Sequence, residues 1–181
     1  EEFNGSAGAA PDSSTWTPDL GDGCNNPAGC GWGNGESQAY AACANKLDGN
    51  GNMVITASTP NGDPNCVSNK TWTSGKFTSY GKKHFSYGYF EARLKMPTGG
   101  GTWPAFWMLG GGLLDGVPWP ECGEIDIMEF RGDIPDQSTS AIHGPTTPQG
   151  SGLGARFLSA PPLSEGYHTY AIDWKKNSLT F

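Results

Sequence analysis

No apolar run in this sequence approaches the roughly 18 residues of a membrane-spanning helix, so no transmembrane segment is expected. Long helical periodicity is missing too, as are blocks of like charge, a Pro/Ser-rich linker and internal repeats. One domain over residues 1–181 is therefore the simplest organisation. No CxxC pair of the zinc-binding kind is present. The sequence opens on Glu1 rather than Met and shows no signal-peptide pattern, from which a processed or engineered product is expected. Basic residues are scarce, 11 Lys and Arg against 18 Asp and Glu, for a formal net charge of −7. That balance argues against nucleic acid and anionic membranes as partners and weakens the case for polyanionic polysaccharides.

What the chain does have is punctuation. Its 28 Gly and 14 Pro are scattered throughout, separating short apolar and β-branched runs such as Met53-Val54-Ile55-Thr56 and Tyr89-Phe90-Glu91-Ala92-Arg93-Leu94. Many short strands joined by tight turns predict an all-β sandwich or barrel. Seven Trp exceed what a core of this size readily supplies with partners for every indole N–H, so some are expected at the surface. Of the five cysteines, Cys24 and Cys30 share a Gly/Asn-rich segment, Cys43 and Cys66 flank a turn, and Cys122 stands apart. Two local disulfides, Cys24–Cys30 and Cys43–Cys66, with one free thiol is the preferred reading among the pairings that five cysteines allow. Such bridges imply a secreted, oxidising setting.

The densest chemistry lies in Gly123-Glu124-Ile125-Asp126-Ile127-Met128-Glu129-Phe130. Its composition reads as a strand, in which Glu124 and Asp126 share one face while Ile125 and Ile127 point to the other. Strict alternation would bury Glu129 among apolar residues, where an unpaired carboxylate is costly. A β-bulge near Met128 would return Glu129 to the face of the other two acids. Glu124 and Glu129 backbones would then lie about 13 Å apart, at ~3.3 Å per residue, a gap that two inward-leaning side chains largely close. Paired carboxylates about 5–5.5 Å apart suit a retaining glycosidase, and about 6.5–9.5 Å an inverting one. A solvated acidic face or a cation site is the other reading, although like charges so crowded cost stability.

Around this stretch the reading is coarser. Residues 6–35 form an irregular loop, followed by Asn34, Glu36 and Gln38 in alternation, facing either a polar cleft or plain solvent. Ala44 to Ala57 reads as a hairpin turning at Asp48-Gly49-Asn50-Gly51. Lys70 to Tyr80 and His84 to Met96 read as a second hairpin around Gly81-Lys82-Lys83. In its second arm Tyr89, Glu91, Arg93 and Lys95 share a face, where Arg93 serves sugar hydroxyls or a carboxylate, or a weak surface pair with Glu91. In Thr102-Trp103-Pro104-Ala105-Phe106-Trp107-Met108-Leu109, Trp103 and Trp107 have the same parity and Phe106 and Met108 the other. Trp119 is close enough to the acidic strand to wall a cleft. Ser138 to His143 reads as the next strand, from which His143 reaches the acids if the two strands pair. Residues 144–165 read as loop-rich, and 167–181 as a strand, a turn and the start of another strand.

Three motifs together, Glu124-Ile125-Asp126-Ile127-Met128-Glu129, Gly100-Gly101-Thr102-Trp103-Pro104-Ala105-Phe106-Trp107-Met108 and Gly88-Tyr89-Phe90-Glu91-Ala92-Arg93, make the sequence resemble glycoside hydrolase family 16. The match covers nearly the whole chain. Within the family it is most similar to bacterial laminarinase-type endo-β-1,3-glucanases, because Met128 lengthens the acidic motif relative to the lichenase and xyloglucan-modifying branches. The resemblance implies a β-jelly-roll sandwich of two curved antiparallel sheets with a glucan cleft on the concave face. It makes Glu124 the nucleophile and Glu129 the general acid/base, with Asp126 between them, and suggests Asn34, Arg93, Trp103, Trp107 and His143 as sugar contacts. The implied partner is a β-1,3-glucan polysaccharide or oligosaccharide, acted on by a secreted monomer. Catalysis in the family requires no cofactor. A structural Ca²⁺ is frequent, but the resemblance assigns it no ligand here. Family domains run longer than 181 residues, so a C-terminally incomplete catalytic domain is expected.

Two other readings remain open at this stage: a non-catalytic β-glucan-binding lectin on the same sandwich, and a family member acting on mixed-linkage β-glucan or galactan. A lectin would keep the tryptophans but has no need of the carboxylate pair.

Overall fold

Short strands separated by Gly- and Asn-bearing turns dominate the computed structural model, which describes residues 1–59, 66, 68, 70–147 and 152–181. The chain folds as two compact units, Glu1–His84 and Phe85–Phe181.

The first unit carries β1 (Thr17–Pro18), β2 (Ala39–Tyr40), β3 (Asn45–Leu47), β4 (Met53–Ile55), β5 (Thr73–Ser74) and β6 (Phe77–Thr78). Strands β3 and β4 form the hairpin expected from the sequence. Its turn is tied by the Asp48 carboxylate, which accepts from the backbone N–H groups of Asn50 and Asn52 and from the Asn52 amide, as Asx turns do. Both disulfides read from the sequence, Cys24–Cys30 and Cys43–Cys66, are formed, and Cys122 is free. The long irregular segment is held by rings: Trp16 packs edge-on against Phe77 at 4.8 Å between centroids, with Phe3 beside both.

One expectation fails here. The predicted hairpin between 70–80 and 84–96 does not form. Its turn is made, with the backbone N–H groups of Lys82 and Lys83 donating to the Ser79 carbonyl. Its arms, however, pair elsewhere: β5 runs parallel to β2 and β6 antiparallel to β1, while the second arm belongs to the other unit. Sequence proximity makes a hairpin cheap in loop entropy, but the second arm takes its ladder partner from residues 168–174, far along the chain.

The second unit holds β7 (Gly88–Leu94), β8 (Ala105–Leu109), β9 (Glu124–Phe130), β10 (Gln137–His143), β11 (Leu153–Leu158), β12 (His168–Lys175) and β13 (Ser178–Thr180). These build two antiparallel sheets, in order β11-β10-β9-β8 and β13-β12-β7. Between them, Met96, Met128, Phe130 and Leu163 form a buried cluster packed by Leu94, Phe106 and Tyr170. Full burial of side chains such as Met128 and Phe130 contributes on the order of 1.5–3 kcal/mol each. The all-β architecture is the one expected. The terminal hairpin β12–β13 also forms as read, turning through Lys176 and Asn177, the latter at φ 65°, a left-handed conformation that Asn tolerates.

Strand β11 was not expected, since 144–165 read as loop. All of its residues are exposed, so no buried stripe marks Leu153-Gly154-Ala155-Arg156-Phe157-Leu158 as a strand. Its identity comes from pairing with β10 along its whole length.

Candidate active site

The bulge in β9 organises the site. On one side Phe106 lies opposite Met128 and Trp107 opposite Asp126; on the other Thr139 lies opposite Glu129 and Ala141 opposite Asp126. Two residues of β9, Ile127 and Met128, thus oppose one residue of each neighbour, which is the definition of a bulge. Across from it in β10, the buried Ser140 hydroxyl donates to the Ile127 carbonyl at 2.8 Å, holding a carbonyl that the irregular ladder would leave short of a partner. Side chains opposite one another in a sheet share a face. The register therefore puts Glu124, Asp126 and Glu129 on one surface with Ala105, Trp107 and Leu109 of β8 and Thr139, Ala141 and His143 of β10. Met128 and Phe130 go to the core instead.

Each acid has its own partner. The Trp119 indole N–H donates to Glu124 Oε2 at 2.7 Å, and the Trp103 indole N–H donates to Glu129 Oε1 at 3.0 Å. His143 Nε2 lies 3.1 Å from Asp126 Oδ2. Both indoles are half exposed, Trp103 at 52% and Trp119 at 44%, so they flank the acids with open aromatic faces. Trp119 also sits 5.6 Å from the His143 ring, at a 46° tilt. The central acid is the buried one: Asp126 is 5% exposed. Burial, then the charges of Glu124 and Glu129, then a hydrogen bond with Glu124, push its carboxyl up to about 8. Burial and the two flanking charges thus favour the protonated form of the Asp126 carboxyl.

The remaining candidates fall elsewhere. Arg93 lies on β7, whose neighbouring Leu94 packs inward against the Met128–Phe130 cluster. By alternation the Arg93 side chain projects outward from the second sheet, where its guanidinium covers the Tyr167 ring at 4.2 Å. β7 therefore turns it away from the acidic face, and it does not pair with Glu91 either, which accepts instead from the Tyr89 hydroxyl. Asn34 belongs to the first unit, where its amide donates to Glu36, a carboxylate that also accepts from Gln38 and Tyr40. Reading the sequence missed Ser140, whose small hydroxyl opposite the extra residue is the one signal that could have revealed it.

A structural Ca²⁺ finds no fitting set in this face. Glu124, Asp126 and His143 bring one donor atom each within 4.8 Å of one another. Ca²⁺ takes about six to eight oxygen ligands, and this set brings two carboxylates and an imidazole nitrogen.

The site is thus a bulged, tryptophan-flanked carboxylate strand on the open face of an antiparallel β-sandwich. The model for Glycosyl hydrolases family 16 matches residues 36–181, and the chain belongs to that family. It is 36% identical over 189 residues to a glucan endo-1,3-beta-glucosidase A1 of Niallia circulans, an alignment covering 99% of this chain and 27% of the relative. It is also 36% identical to a glucan endo-1,3-beta-glucosidase of Cryptopygus antarcticus, covering 99% and 63%. Among solved structures, the laminarinase catalytic domain of Thermotoga maritima is similar at 34% identity and a TM-score of 0.86, over 99% of this chain and 70% of that one. The chain thus spans less than two thirds of these curated relatives. Among its described residues no helix is long and apolar enough to cross a membrane.

Proposed function

We propose that this chain forms the catalytic part of an endo-acting β-1,3-glucan hydrolase that works by retaining double displacement. The observation that carries the proposal is the bulge in β9, which brings Glu129 to the face of Glu124 and Asp126. Glu129 gives its proton to the glycosidic oxygen as the bond to the anomeric carbon breaks, and Glu124 attacks that carbon from the other side to form a glycosyl ester. Water then attacks the same carbon, passing its proton to Glu129 and releasing the Glu124 carboxylate, so the two inversions restore the original configuration. Asp126 supports this division of labour. While it keeps its proton, Glu124 has a hydrogen-bond donor rather than a second negative charge beside it, which favours the ionised nucleophile.

Trp103, Trp107 and Trp119 serve as the sugar platforms, flat apolar surfaces against which pyranose rings pack. The acidic chain, at −7, suits a neutral glucan better than a sulfated galactan. The family match runs through the junction of the two compact units, which supports a single catalytic domain. The two disulfides support secretion. The partner is a β-1,3-glucan, engaged by a monomer, with no role for nucleic acid or membrane.

The test is the release of reducing ends from laminarin, lichenan, agarose and carrageenan by the protein and by Glu124→Gln, with the first-formed anomer followed by proton NMR. Laminarin should be cleaved, the β-anomer should appear first, and the variant should be inactive. An α-anomer first would rule out the mechanism. Laminarin binding with no cleavage by the unaltered protein would identify a lectin.

A further inference from the structure

We infer that His143 is a positioning residue, held as the Nε2–H tautomer, whose hydrogen bond to Asp126 Oδ2 directs the Asp126 proton toward Glu124. The catalytic consequence rests on the proposed role of Glu124; the tautomer does not.

The two ring nitrogens of His143 stand in different surroundings. Nε2 faces Asp126 Oδ2 at 3.1 Å, in a contact where the side chains are 14% and 6% exposed. Nδ1 is buried and, among the described residues, has no hydrogen-bond partner. A neutral imidazole offers one donor and one acceptor, an imidazolium two donors. Protonation at Nδ1, alone or in the imidazolium, would bury an N–H with nothing to receive it, a rarer defect in folded proteins than an under-used acceptor. The Nε2–H tautomer avoids it and places its donor on the carboxyl oxygen.

The ring cannot easily turn to exchange its nitrogens. A Cβ at Gly152 would lie 2.7 Å from Cε1 and 2.9 Å from Nδ1 of His143, so bare backbone closes that edge of the ring. Trp119 packs against it while donating its own N–H to Glu124. Register adds a third constraint, since His143 lies opposite Glu124 in the β9–β10 ladder.

With Oδ2 accepting from His143, a proton on Asp126 is left to the other oxygen, and a Glu124 carboxylate oxygen lies within 4.8 Å of the Asp126 carboxyl. Among the described residues, the charged groups facing the pair are Glu124 and Glu129 of β9; the residues that β8 presents to this face, Ala105, Trp107 and Leu109, carry no charge. Had Nε2 been the acceptor instead, it would compete with Glu124 for the same proton and leave two carboxylates in contact. His143 thus acts on the reaction through Asp126, without touching the sugar at the reacting carbon.

Nitrogen-15 NMR of the imidazole at neutral pH reads the tautomer directly, with His143 assigned by its loss in His143→Gln. One proton on Nε2 and a bare Nδ1 are expected; a proton on Nδ1, alone or in an imidazolium, would overturn the inference. Kinetics provide the second readout. His143→Gln retains an N–H donor and should keep kcat on laminarin within about threefold, whereas His143→Leu should lose about tenfold or more in kcat with KM little changed. The alkaline limb of the His143→Leu profile should also move to higher pH, because a donor that stabilises the Asp126 carboxylate is gone. Equal kcat and pH profiles for the Leu variant and the unaltered protein would count against the positioning role. A protein inactive on laminarin that still shows Nε2–H would remove the enzyme reading and leave the tautomer standing.

Discussion

Trp103 reaches Glu129 across the face of the sheet, its indole N–H 3.0 Å from Oε1. Trp103 precedes β8 and Glu129 follows the bulge of β9, so this contact exists only because the extra residue turns Glu129 outward. A hydrogen bond to a charged group contributes about 1.5–3 kcal/mol, and half exposure puts this one at the low end. Trp103→Phe keeps an aromatic face and removes the donor. We expect kcat/KM on laminarin to fall about tenfold, equivalent to ~1.4 kcal/mol, mostly through kcat. Trp103→Ala should raise KM as well. Initial rates decide, and an unchanged Phe variant would mean that the indole N–H does not orient Glu129.

The two outer glutamates should fail differently. Loss of a general acid costs about 10²–10⁴ in rate, but an aryl glucoside with an acidic phenol leaves without a proton. Glu129→Gln should therefore recover much of its first-step rate on such a substrate, visible as a burst of phenolate. Glu124→Gln should show no burst on any substrate. A burst from the Glu124 variant would reassign the nucleophile.

Ser140 offers a test of the bulge itself. Removing its hydroxyl leaves the Ile127 carbonyl without that donor in a buried site, at a cost of about 1–3 kcal/mol. Ser140→Ala should lower Tm by several degrees, about 2–4 °C per kcal/mol at this size, and reduce activity although Ser140 itself faces away from the acids. A variant with unchanged Tm and rate would show that the bulge is held by the ladder alone.

Asp126 should leave a mark on stability. Burial and the neighbouring carboxylates push its carboxyl from an ordinary value of 3.8 up to about 8, so the folded state binds the proton more tightly than the unfolded state. The contribution favours folding fully below the ordinary value and is lost as pH rises through that window, with a slope of at most about 1.4 kcal/mol per pH unit. Asp126→Asn removes this dependence. The variant should gain Tm relative to the unaltered protein progressively between acid and mildly alkaline pH, even as its activity falls. Parallel Tm–pH curves would contradict the raised carboxyl.

How far the fold could be read in advance depended on the range of the interactions. The hairpin at Asp48–Asn52 and the β12–β13 turn were legible because the turn chemistry sits beside the strands it joins. The alternation in β7 was legible too, and Leu94 and Met96 do face the core. Its partner was not: β12 lies far along the chain, and no local signal names it. The family resemblance offered Arg93 as a sugar contact, whereas the place of its strand in the second sheet turns it away from the acids. Strand β11, exposed on both faces, had no buried stripe to announce it.

For the site, the residues alone determined that Glu129 needed an extra residue to escape the core, that Trp103 and Trp107 shared a parity, and that the acids were too crowded for an ordinary surface. Those conclusions follow from the two-residue period of a strand and from the cost of burying charge. Tertiary structure decided which group each acid holds: Trp119 on Glu124, His143 on Asp126, Trp103 on Glu129, and Ser140 behind the bulge. These contacts join residues on different strands and loops, and the register that aligns them is set by burial of Met128 and Phe130 on the opposite face.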